Sequence, residues 1–183
     1  IGTGVQTWTL PISSALTEFA IGWLDTYGKW TQRYGYYEVR VKMPTVPSMF
    51  PAFWLMPERG PANWPKYRRT ETKDGGMEFD VFEGQSMWGP YRTTFGMHWD
   101  SYMKYHKSAG TSNHYNHPDK DGFLTIGMLW TPGHVAVYNN GHMDGSWDSP
   151  RLGSVQAYLI FDMNPGGFEY DPLDPATLPA DLV

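Results

Sequence analysis

The chain has 183 residues, no cysteine, a net charge of −5, and 16% aromatic residues that include nine tryptophans. That length suits one domain with a real core, and the missing thiols exclude disulfides and thiolate metal sites. The acidic balance argues against nucleic acid or an anionic membrane surface as partner, and no run approaches the eighteen apolar residues of a membrane span.

In chain order, residues 4–10 read as a short strand closed by Pro11, and residues 21–30 as a second apolar stretch. No leader-like pattern is visible, and the chain opens mid-pattern at Ile1. Residues 34–43 alternate with period two: Tyr37, Val39, Val41 and Met43 share one face, and Tyr36, Glu38, Arg40 and Lys42 the other. Residues 50–56 are almost continuously apolar, which predicts a strand buried on both sides. A long loop follows over residues 57–76, with Trp64 and the basic residues Lys66, Arg68, Arg69 and Lys73; loops of that length in compact domains are commonly functional.

The next stretch, residues 76–84, sets Glu78, Asp80 and Glu83 on an apolar strand between glycines. Acids are poor strand formers and repel one another at this spacing, so their presence asks for a reason. Strict alternation puts Glu78 and Asp80 on one face and Glu83 on the other. One extra residue, a β-bulge near Val81–Phe82, brings Glu83 back beside them. The two glutamates are then four positions apart, ~13 Å between Cα atoms. Side chains leaning inward leave a carboxyl gap of roughly 5 Å, the spacing of a retaining glycosidase. A solvated edge strand would also carry acids, and spacing alone leaves that open.

Residues 91–100 predict a further strand with Phe95, Met97 and Trp99 on one face and Thr94, Gly96, His98 and Asp100 on the other, which aims His98 at the three acids. Residues 101–122 read as a long polar loop bordering a cleft; its His106, His114 and His117 do not have a zinc spacing. Residues 123–130 and 135–138 are strands, the second running into the hairpin signal Asn139-Asn140-Gly141. Trp147 falls in a loop as a candidate for stacking on a sugar face, and residues 157–163 form the last strand. With turns every eight to twelve residues and no sustained helical period, the fold class is all-β, a sandwich of two antiparallel sheets.

Glu78-Phe79-Asp80-Val81-Phe82-Glu83 resembles the bulged signature of glycoside hydrolase family 16: Glu, an apolar residue, Asp, two apolar residues, Glu. Residues 32–44 resemble that family's strand before the cleft, residues 50–57 its next strand, and Asn63-Trp64-Pro65 the loop after it. Residues 129–132 and 158–167 follow in family order, so the likeness runs from about Gly22 to Leu178. It implies a jelly roll with an open concave cleft, spanning residues 1–183 as a single catalytic domain that lacks the family's outermost terminal segments. A calcium ion is often held between those segments, and no ligands for it are assignable in this sequence. The implied activity is that of a secreted, monomeric, endo-acting retaining β-glycosidase that needs no cofactor and has a polysaccharide substrate.

In that reading Glu78 is the nucleophile, Glu83 the general acid and base, and Asp80 holds Glu78 while keeping Glu83 protonated. Trp64, His98, Trp54, Trp147 and Arg33 are the candidate sugar contacts. A β-1,3 or mixed-linkage glucan is the expected substrate, given the laminarinase-like Asn63-Trp64-Pro65. A β-galactan, sulfated or not, is the alternative that the basic loop would suit. A non-catalytic binding module would need the aromatics but not three converging acids, and a transglycosylase would use the same residues.

Overall fold

The computed structural model describes residues 4–5, 9–12, 17–60, 70–166 and 176. In chain order the strands are β1 (Gly4–Val5), β2 (Thr9–Ile12), β3 (Thr17–Ala20), β4 (Gly22–Asp25), β5 (Gly35–Val41), β6 (Met49–Pro57), β7 (Glu78–Gly84), β8 (Arg92–Trp99), β9 (Lys107–Tyr115), β10 (Leu124–Thr131), β11 (His134–Asn139), β12 (His142–Asp148) and β13 (Ala157–Pro165). They form a seven-stranded sheet ordered β1-β4-β13-β6-β7-β8-β9, a four-stranded sheet ordered β12-β11-β10-β5, and a separate β2-β3 pair. All pairings are antiparallel, as a jelly-roll sandwich requires.

The core lies between the two large sheets. Tyr37 and Val41 of β5 and Leu124, Ile126, Met128 and Trp130 of β10 face Leu55 of β6 and Phe79, Val81 and Phe82 of β7. The Trp130 ring lies 4.8 Å from that of Phe79, and its indole N–H donates to the Gly153 carbonyl at 3.1 Å. Burial of each phenylalanine contributes about 1.5–3 kcal/mol, so the inner face of β7 is fixed by apolar contact while its outer face carries the acids. Between β11 and β12 the two-residue turn Asn140-Gly141 has φ of 49° and 81°, the doubly left-handed form that matches strand twist.

Four expectations need correction. Residues 101–122 contain β9, a nine-residue edge strand hydrogen-bonded to β8. It lacks apolar alternation because it is polar along its length, and backbone pairing with β8 supplies the order. Trp147 is in β12 opposite Val135, not in a loop. Pro11 does not close a strand over 4–10: the segment splits into β1 and β2, and Pro11 pairs with Glu18 inside β2. β6 is not buried on both sides, since Phe50, Ala52 and Trp54 line a cavity.

Candidate active site

On β7, Trp54 pairs with Asp80 and Phe53 with Phe82, so Val81 is the surplus residue; the β8 register shifts at the same place. Val81 and Phe82 both point into the core, and Glu83 returns to the face of Glu78 and Asp80. Those three carboxylates line a cavity of about 210 Å³ with Phe50, Ala52 and Trp54 of β6 and Asp162 and Asn164 of β13. Neighbours across the ladder set the local space. Glu83 stands between Ala52 and Thr94, and Asp80 between Trp54 and Gly96.

The hydrogen bonds give each acid a separate environment. Tyr102 donates its phenol proton to Glu78 Oε2. Thr94 Oγ1 donates to Glu83 Oε2 at 3.1 Å. Asp80 Oδ2 lies 3.2 Å from His98 Nε2, and His98 Nδ1 lies 2.9 Å from Nε2 of His106, whose ring stacks on it. Trp54 donates its indole N–H to Asp162 Oδ1 at 2.7 Å, and the Asn164 amide also bonds to Asp162.

Burial dominates the proton affinities. Burial, then the Asp80 charge, pushes Glu78 up to about 7, with Tyr102 and His98 pulling the other way. Burial likewise pushes Asp80 up to about 6 against the His98 hydrogen bond. Glu83 is raised by burial, with Glu78 and Asp162 adding to it, and Thr94 opposes the shift. His98 is raised chiefly by its bond to Asp80. The cluster therefore keeps a proton near neutrality. A cluster of this kind, with one carboxyl protonated and another ionised, can offer an acid and a nucleophile side by side.

Glu78, Asp80 and His98 bring one oxygen or nitrogen atom each within 4.8 Å of one another. Tyr102, His106 and the Asp80–His98 contact share this cluster.

The other candidates separate. Trp54 lines the cavity and stands edge-on to Trp23, ring centroids 5.9 Å apart. His98 adjoins Asp80. Trp147 lies away from the cleft, stacked on Phe95 at 5.0 Å against the inter-sheet core. Arg33 is exposed, its guanidinium 5.3 Å over the Tyr34 ring, and is not among the residues lining the cavity. Trp64, with Asn63, Pro65, Lys66, Arg68 and Arg69, lies outside the described residues; Lys73 is exposed. His106 meets His98, whereas His114 pairs with Asp144 of β12 at 2.8 Å, so these histidines serve separate contacts. Sequence reasoning missed Tyr102, Asp162 and Asn164. The last two were legible, since polar residues at 162 and 164 alternate with Phe161 and Met163.

No family model matches the chain. The chain is 29% identical to the endo-1,3-1,4-beta-glycanase ExsH of Rhizobium meliloti (strain 1021), an alignment covering 95% of this chain and 35% of that protein. It is 28% identical to EglC of the same organism, also an endo-1,3-1,4-beta-glycanase, over 86% of this chain and 30% of that protein. The chain thus spans about a third of the length of the curated relatives it matches. Among solved structures it is similar to SCLam, a non-specific endo-beta-1,3(4)-glucanase from family GH16, with a TM-score of 0.63 at 25% identity, covering 88% of this chain and 59% of that one. The chain is thus similar, in sequence and in fold, to endo-β-glucanases that include a family 16 member. Like the family signature it resembles, the chain has the bulged spacing Glu78, Asp80, Glu83, carried on β7 between β6 and β8 of the seven-stranded sheet.

Two expected outcomes arise from this geometry. A Cβ on Gly96 would sit 2.6 Å from Asp80 Oδ2 and 3.3 Å from His98 Nε2. Gly96→Ala must push the Asp80 carboxylate aside, and misplacement on the 1 Å scale costs up to about 100-fold. We expect kcat to fall at least tenfold, roughly, with circular dichroism unchanged; full activity would show that Asp80 need not be held there.

The second concerns Asp162, raised from 3.8 to about 6 by burial despite its two donors. A carboxyl with a raised folded value stabilises the fold most below its unfolded pKa, and that stabilisation is lost as pH climbs through about 6. The difference is about 3 kcal/mol. Asp162→Asn keeps an acceptor for Trp54 and removes the charge. Its melting temperature relative to wild type should therefore rise between about pH 4 and pH 8; an offset that stays constant over that range would contradict the assignment.

Proposed function

We propose that this chain is an endo-acting retaining β-glycoside hydrolase whose substrate is a β-1,3 or mixed-linkage glucan. The observation that carries the reading is the β7 bulge, which sets Glu78 and Glu83 on one wall of an open cavity with Asp80 between them. The activities in the names of ExsH, EglC and SCLam support the glucan class.

Glu78 attacks the anomeric carbon while Glu83 protonates the departing glycosidic oxygen, leaving a covalent glycosyl-enzyme and a shortened chain. Glu83, now ionised, takes a proton from water, and the hydroxide so formed displaces Glu78 from the sugar. Both steps invert the anomeric centre, so the product keeps the β configuration. Burial, with the Glu78 and Asp162 charges, keeps Glu83's proton affinity high, while Asp80, held by His98, stands between the two glutamates. Trp54, tied by its N–H to Asp162, offers a ring face to a pyranose.

Carboxylates and water supply every proton and nucleophile in this scheme, so it calls for no cofactor, and one chain carries all three acids. A polymeric substrate suits an enzyme that works outside the cytoplasm, in the periplasm or the medium. Incubation with laminarin, lichenan, agarose and carrageenan tests the reading. Early release of oligosaccharides of several lengths from a glucan is expected. Cleavage of a galactan with no release from either glucan would overturn the substrate class.

A further inference from the structure

Tyr102 stands in the segment between β8 and β9, which shows no apolar periodicity, yet its hydroxyl reaches the carboxylate of Glu78 and lies 3.4 Å from Met56 Sδ. The backbone that carries it is tied down at several points. Asp100 and Ser101 are consecutive non-glycine residues at φ of 59° and 74°, a region that persists only where surroundings impose it. Their amides donate to Thr72, which is buried: Asp100 N to its carbonyl at 3.1 Å and Ser101 N to its hydroxyl at 3.0 Å. Asp100 Oδ2 receives Lys107 Nζ at 2.8 Å and Arg151 at 3.0 Å. At the far end His106 closes onto His98, and its amide donates to the Met103 carbonyl at 2.9 Å.

We propose, on the basis of the glycosidase reading above, that Tyr102 is a positioning residue for the nucleophile: its phenol holds the Glu78 carboxylate in the orientation that attack requires and favours its ionised form. A donor aimed at one carboxylate oxygen stabilises the anion and leaves the other oxygen free to face the anomeric carbon. The phenol is fitted to stay a donor, because burial and the adjacent Glu78 charge hold its own pKa far above the ordinary value. As Glu78 gives up its charge to the sugar, the bond weakens; when water releases the sugar, it strengthens again. The same contact thus favours departure of Glu78 from the glycosyl-enzyme.

The test is Tyr102→Phe, with Tyr102→Ala beside it. The ionisable groups around Glu78 are Asp80 and Glu83 on its own strand, His98 from β8, and Asp162 and Tyr158 from β13; the Phe variant leaves all of them in place. The primary readout needs no turnover: the titration of Glu78 followed by carbon NMR in protein labelled at glutamate carboxyls. Removing a hydrogen bond to a charged group should raise its midpoint by about one pH unit. The second readout is the acid limb of kcat/KM on a glucan, expected to move up by the same amount, with kcat about tenfold lower and KM nearly unchanged. An unmoved Glu78 midpoint in Tyr102→Phe, or a shift seen only in Tyr102→Ala, would overturn the proposal and leave Tyr102 as packing. If the midpoint moves but the wild type cleaves no β-glycan, the positioning contact stands and the glycosidase reading fails.

Discussion

Glu78→Gln is expected to abolish turnover, to below about 1% of wild type, while oligosaccharide binding stays largely intact. The amide is nearly the same size as the carboxylate, so the packing of β7 on Phe79 and Phe82 is undisturbed, and its oxygen can still accept from Tyr102. What it lacks is the negative charge that lets a carboxylate oxygen form an ester with the sugar and later leave as an anion. The variant should also be less sensitive to alkali. In the wild type, Glu78 is raised from 4.5 to about 7, so the protonated fold loses stability as pH climbs through that window. The variant carries no such penalty. Binding measured calorimetrically and rate measured by reducing-end release separate the two effects. Residual turnover well above about 1% would remove Glu78 from the nucleophile's role.

Glu83→Ala should produce a different kind of failure. Loss of a general acid and base costs about 10²–10⁴ in rate with natural leaving groups. An aryl glycoside with a good leaving group needs no acid, so its glycosyl-enzyme should still form and then stall, because no base activates water. Azide, a small anion that attacks without a base, should restore turnover and yield the β-glycosyl azide, the product of two inversions. The basic limb of the wild-type pH profile, set by the proton that burial keeps on Glu83, should be absent from the rescued reaction. Formation of the α-azide would mean that Glu83 had been the nucleophile. No response to azide would mean that its loss acts through something other than missing acid–base chemistry.

The acid-bearing strand β7 was legible because its composition breaks a local rule. Three acids on an apolar strand conflict with strand propensity, and only a one-residue bulge puts them on a common face; the structure has that bulge at Val81–Phe82. Strands 5, 6, 8, 10 and 11 were legible for the ordinary reason that one face is apolar. β9 was not, because as an edge strand of polar residues it draws its order from β8's backbone, which leaves no trace in side-chain periodicity. Trp147 was misplaced for a related reason. β12 is mostly exposed and polar, so its one large ring looked available for a ligand, whereas it covers Phe95. Tyr102 could not be read at all. Its position depends on Thr72, Lys107 and Arg151, which hold Asp100 and Ser101, and on His98, which meets His106.

Trapping the intermediate tests the central claim most directly. The chain is incubated with a 2-deoxy-2-fluoro β-glucan oligosaccharide carrying a dinitrophenyl leaving group, then digested and mapped by mass spectrometry. The fluorine slows both steps, and the good leaving group restores the first, so the glycosyl-enzyme accumulates. One sugar adduct per chain is expected, on the side chain of Glu78. An adduct on Glu83 or Asp80, or no adduct from a chain that releases α-configured sugar from natural glucan, would contradict it.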